Sequence, residues 1–151
     1  MEYVQKRVPV ECWRRRWCLN VILIGPVSGD INRAKRVFAL AERLCIETNH
    51  LVVHNPMRDH VGGRTEAEYM QESLSHICQL VIEGTPNLMA IVLPQWFKSK
   101  GSRTESLLCE KLDIPVVSTG AIGVENRDKI VNEYNRKGGE YDGLQTNAEG
   151  R

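Results

Sequence analysis

Residues 86–119, "PNLMAIVLPQWFKSKGSRTESLLCEKLDIPVVST", decide how this chain is read. Leu88 to Leu93 is a short, unbroken apolar run. It lacks the polar alternation of a half-exposed strand, so it reads as a strand buried on both faces. "GSRTESLLCEKL" has helical spacing, and "IPVVST" is a second buried strand. Strand, helix, strand in this order is the unit of a parallel sheet. The linking stretch, "PQWFKSKGS", is polar and carries a tryptophan and two lysines.

The pattern repeats on either side. "LNVILIGP" (19–26) is an apolar strand ending in Gly-Pro. "DINRAKRVFALAERLCIETNH" places Ala34, Val37, Phe38, Ala41, Leu44 and Cys45 on one helical face, with Asp30 as N-cap. "LVVHNP" (51–56) is the second strand, and "MRDHVGGR" a loop with a glycine pair. "TEAEYMQESLSHICQLVIEG" is a helix with a Thr65/Glu68 capping box and an apolar stripe at Tyr69, Leu74, Ile77, Val81 and Ile82. "VENRDKIVNEYNRK" supplies a last helix. The expected fold is α/β: a Rossmann-like three-layer sandwich with a parallel sheet of four to five strands. Residues 1–18 form an N-terminal extension, 19–137 the domain, and 138–151 a polar, glycine-rich tail expected to be disordered.

The 151 residues suit one domain. A formal net charge of +1 gives no global steering toward nucleic acid or membrane. No apolar run is long enough to cross a bilayer, and the N-terminal stretch lacks the apolar core of a secretory signal. Five cysteines without CxxC spacing argue against a disulfide framework and a zinc site. Reduced thiols in a cytoplasm are expected, with Cys45, Cys78 and Cys109 as buried packing residues. No cofactor and no metal are expected. "CWRRRWC" (12–18) combines arginines with tryptophans, a pattern able to hold single-stranded nucleic acid. Packing on the domain or on a partner is the favoured reading, and nucleic acid is not the expected partner.

Open parallel sheets bind ligands beyond the carboxyl ends of their strands. Three loops should meet there: "GPVSGD", "HNPMRDH" and "PQWFKSKGS". In the first, Gly25, Pro26, Ser28 and Gly29 precede a helix; the loop is neither GxGxxG nor a P-loop, and a plain tight turn is an equal reading. In the third, Ser99, Gly101 and Ser102 lead into a helix, where hydroxyls and N–H groups can cradle a phosphate. Lys98, Lys100 and Arg103 add positive potential. Glu105 is expected in the first turn of that helix. There it either complements the helix dipole or acts as a nucleophile or acid/base on a nucleotide sugar. Trp96 could stack on a base, cover the pocket or meet a neighbouring subunit. Asp59, His54 and His60 lie in or beside the second loop, and His76 is expected on a helix surface.

These motifs in order, "GPVSG", Asn55-Pro56, Tyr69-Met70 and "LPQWFKSKGSRTE", resemble the nucleoside 2-deoxyribosyltransferase-like superfamily over residues 19–118. The likeness is greatest to a small bacterial and phage branch with the pattern GPMTG, NP, W/Y-x-x-M and LPGW-x-x-S-x-GA-x-x-E. The chain is also similar to 2′-deoxynucleoside 5′-monophosphate N-glycosidases. The resemblance implies cleavage of an N-glycosidic bond. It implies Glu105 as nucleophile, Ser99 and Gly101 on the 5′-phosphate, and Gly25 and Pro26 beside sugar and base. Asn55 and Ser102 fall in the same loops. It also implies a homo-oligomer, at least a dimer. Three positions depart from the pattern. Asn87 or Leu88 stands where many members have an aspartate, Ile22 near a tyrosine of the transferases, and Gln95 at the glycine of LPGW. The expected function is hydrolysis or transfer at the glycosidic bond of a nucleoside 5′-monophosphate. The alternatives are a nucleotide-binding module without turnover and a nucleic-acid accessory protein.

Overall fold

Four short strands pair in the order β2-β1-β3-β4, every neighbouring pair parallel. They are β1 (Asn20–Ile24), β2 (Val52–His54), β3 (Leu88–Val92) and β4 (Val116–Ser118). The helices are α1 (Ile31–Asn49), α2 (Glu66–Ile82), α3 (Lys100–Lys111) and α4 (Val124–Asn135). The computed structural model describes residues 19–27, 30–58, 60 and 62–136. The extension 1–18 with its arginine–tryptophan cluster, Ser28, Gly29, Asp59 and the tail from 137 lie outside the described residues.

The sheet is buried on both sides because its strands are apolar on both. Val21, Leu23, Met89, Ile91 and Val117 face α1 and α4, where Phe38 and Ile130 are fully buried. Ile22, Ile24, Ala90, Val92 and Val116 face α2 and α3 through Ile77, Leu80 and Cys109. This is the expected three-layer α/β sandwich, with four strands. Among the described residues no helix is long and apolar enough to cross a membrane.

The caps follow the sequence. Asp30 accepts from the Arg33 N–H at 3.0 Å, and Thr65 with Glu68 closes a capping box at the start of α2. The stripe assigned to α2 is corrected at its end. Ile77 and Leu80 are buried, but Val81 and Ile82 are exposed, because in the last turn the helix faces the sheet through Leu80 and the next two residues turn away from it. Cys45 and Cys109 are buried and Cys78 half-buried; all three are free thiols. Burial first, then the charges of Glu42 and Glu105 respectively, pushes Cys45 and Cys109 each up to about 12. Such thiols are inert packing groups.

β1 is followed by a connection to the left of the sheet, toward β2, and β3 by one to the right, toward β4. The strand order reverses between β1 and β3, and a crevice opens there at their carboxyl ends.

Candidate active site

A cavity of about 650 Å³ occupies that crevice and runs down between α2 and the sheet. Its size is that of an ordinary small-molecule site. One wall is the end of β1, Ile22, Leu23 and Gly25, with Val27. The opposite wall is the start of α3, with Ser99, Gly101, Ser102 and Glu105. The outer wall is one face of α2, where Glu66, Tyr69, Met70, Ser73 and His76 follow at three- and four-residue spacing. His54, Asn55 and His60 close the far end.

The start of α3 has the chemistry of an anion site. Ser99 is the N-cap; its Oγ accepts from the Ser102 N–H at 3.2 Å, and its carbonyl accepts from the Arg103 N–H at 3.0 Å. Helix geometry leaves the N–H groups of Lys100 and Gly101 without an intrahelical acceptor. The Ser102 hydroxyl is buried with no hydrogen-bond partner among the described residues, and Ser102 lines the cavity. A buried hydroxyl without a partner is a costly state unless something outside the protein satisfies it.

Glu105 is not in the first turn. Because Ser99 rather than a later residue caps α3, the helix begins at Lys100, its first turn carries no acidic residue, and Glu105 falls in the second turn. The helix-dipole explanation of this glutamate is weak there, since the effect fades beyond the first turn. Its carboxylate accepts from the Ser73 hydroxyl across the α2–α3 interface. Burial, opposed in part by the Ser73 hydrogen bond, leaves the carboxyl pushed up to about 7. The residue is half-buried, open to the cavity and hemmed in by protein elsewhere.

Three histidines line the same space. His54 Nε2 lies 3.2 Å from Asn20 Oδ1, and its ring centroid is 5.6 Å from that of His76. Burial, followed by the His76 and Arg58 charges, holds His54 below the ordinary histidine range. His60 stacks on Tyr69 at 4.9 Å and is also lowered, by burial and by Lys35 and Arg64. No cluster of three His, Cys, Asp or Glu suited to a metal occurs among the described residues.

Residues 19–118 match a family described as a domain of unknown function, DUF4406. The chain belongs to the DUF4406 family. The match runs from the start of β1 to the end of β4 and spans every described residue that lines the cavity. No curated protein and no solved structure matches the chain.

In this DUF4406 domain the cavity gathers Gly25, Asn55, Ser99, Gly101, Ser102 and Glu105 from the sequence-derived set. Gly25 has a packing reason of its own. A Cβ there would stand 3.0 Å from Leu93 Cβ and 3.3 Å from Phe38 Cζ. Asn55 is engaged within the protein, donating to Glu42 at 2.8 Å and accepting from the Met57 N–H at 2.8 Å. Pro26 lies outside the cavity, in a small cleft with Asp30, Arg33 and Tyr134. Trp96 does not line the cavity either. Gln95, in the left-handed region at φ 64°, turns the chain so that Trp96 packs on the α2/α3 side of the core. Asn87 and Leu88 sit at the amino end of β3, away from the crevice. Sequence reasoning missed Ser73 and Glu66. Their signal was the spacing from Tyr69, which puts both on the helical face that carries Met70 and His76.

Proposed function

We propose that this DUF4406 domain cleaves the N-glycosidic bond of a nucleoside 5′-monophosphate, a 2′-deoxy one in the simplest case, with Glu105 as nucleophile. The observation that carries the reading is the pairing, in one cavity, of a buried Ser102 hydroxyl at a helix N-terminus, unpartnered among the described residues, with the Glu105 carboxylate one turn further along. The resemblance of "LPQWFKSKGSRTE" to the nucleoside 2-deoxyribosyltransferase-like superfamily supports the same roles.

In this reading the 5′-phosphate takes hydrogen bonds from the Lys100 and Gly101 N–H groups and from the Ser99 and Ser102 hydroxyls. Glu105 then faces the sugar. Its ionised oxygen forms a bond to C1′ as the C1′–N bond breaks, and that bond's electron pair leaves on the base nitrogen. The departing base takes up a proton from solvent, which the hydrolytic water later restores. Water then adds to C1′, the ester bond electrons return to Glu105, and the water's proton is released. A carboxyl whose pKa lies near 7 is ionised in about half the molecules at neutrality, enough to act as the nucleophile.

A second reading is a nucleotide-binding module without turnover. It is favoured by one observation: no aspartate lines the cavity among the described residues. A panel of ribo- and deoxynucleoside monophosphates separates the two, with free base followed by chromatography and binding by calorimetry. Base release by the wild type, lost in Glu105→Gln with binding retained, supports the glycosidase. Binding without release supports the module.

A further inference from the structure

α2 has no need of a serine at position 73. Serine is a poorer helix former than alanine, and mid-helix hydroxyls usually turn back to their own i−4 carbonyl. Ser73 does otherwise: its hydroxyl crosses to α3 and donates to Glu105 Oε2, 32 residues on. Glu105 Oε1 has no protein partner among the described residues, and the carboxylate lines the cavity. One oxygen is therefore held and the other left open.

We propose that Ser73 is the positioning residue for Glu105, fixing Oε2 so that Oε1 is the oxygen presented to the sugar carbon. The consequence for turnover rests on the glycosidase reading; the contact itself does not. Ser73 sits midway along the cavity-lining face of α2, with Met70 one turn before and Ile77 one turn after. Ile77 is fully buried and anchors that part of the helix to the sheet. The clamp thus hangs from the rigid part of α2. A hydroxyl donor also favours the charged carboxylate over the neutral acid, opposing the effect of burial. Cys109, one turn on in α3, feels the Glu105 charge, and the other titratable groups that share the cavity are Glu66, Tyr69, Glu72 and His76 on α2, His54 on β2, and His60. Glu72 is paired with Arg64.

The test uses the full chain with 13C-labelled glutamate, the Glu105 carboxyl signal being assigned by its loss in Glu105→Gln. Ser73→Ala should raise the Glu105 titration midpoint by about half to one pH unit, and Ser73→Thr should restore it. The acidic limb of base release should move up equally, with kcat lowered and KM little changed. An unmoved midpoint in Ser73→Ala overturns the clamp. A moved midpoint with an unmoved activity profile overturns the positioning role. A moved midpoint in a protein that releases no base from any nucleotide keeps the clamp and removes the glycosidase reading instead.

Discussion

His54 on β2 and Asn20 on β1 share a hydrogen bond, with Nε2 3.2 Å from Oδ1. The Asn20 amide nitrogen donates to the Pro86 carbonyl at 2.8 Å, which turns Oδ1 toward the ring. Nε2 therefore carries the proton, and Nδ1 is the acceptor in the neutral ring. Burial and the nearby His76 and Arg58 charges favour that neutral form. The 15N shifts of His54 at pH 7 should report a neutral ring with the proton on Nε2. Asn20→Asp, which places a carboxylate against the same nitrogen, should raise the His54 pKa, and an unchanged titration would count against this geometry.

Glu105 couples the fold to pH. Its pKa rises on folding from the ordinary 4.5 to about 7. The folded state thus holds a proton that the unfolded chain has lost. Stability from this group is full below about pH 4.5, declines as pH rises toward 7, and is level above. Glu105→Gln removes the ionisation and should stabilise the protein by about 1–3 kcal/mol more at pH 8 than at pH 5. Urea denaturation at the two pH values measures the difference.

Ser102 should separate function from stability. Its hydroxyl is buried without a partner among the described residues, so Ser102→Ala should leave the stability read by urea denaturation unchanged or raise it, by up to ~1 kcal/mol. The same change should weaken binding of a nucleoside monophosphate by roughly tenfold, the loss of a charge-assisted hydrogen bond. Ser99→Ala should differ. It removes the N-cap of α3 and should cost about 1 kcal/mol of stability along with affinity.

Gly25→Ala tests the crevice itself. The new Cβ would meet Leu93 Cβ at 3.0 Å and Phe38 Cζ at 3.3 Å, where β1 leaves the sheet. A loss of about 1–3 kcal/mol is expected, read as a lowered urea midpoint with an unchanged slope.

The architecture was legible because strands buried on both faces write themselves as unbroken apolar runs. "VILI" and "LMAIV" could only be central strands of a covered parallel sheet, and the strand-end loops followed from that. The start of α3 lies earlier than the sequence suggests. Ser99, Gly101 and Ser102 read as residues ahead of the helix, whereas Ser99 is itself the cap, and this places Glu105 in the second turn. Trp96 was misleading for a related reason. Its direction is set by the left-handed backbone at Gln95, a residue type that does not announce positive φ. Ser73 was hidden because its partner lies on another helix. Its place on the Tyr69–His76 face was readable, but the Glu105 contact depends on how α2 and α3 pack.

The most direct test of the central claim is to trap the sugar on the enzyme. A 2′-fluoro-2′-deoxynucleoside monophosphate that leaves its base quickly and hydrolyses slowly should add a fluorosugar phosphate to the protein. Tryptic digestion and tandem mass spectrometry should find that mass on the peptide 104–111, "TESLLCEK", at Glu105 rather than Glu110, and nowhere in Glu105→Gln. Base release with no adduct on Glu105, or release that persists in Glu105→Gln, would contradict the account.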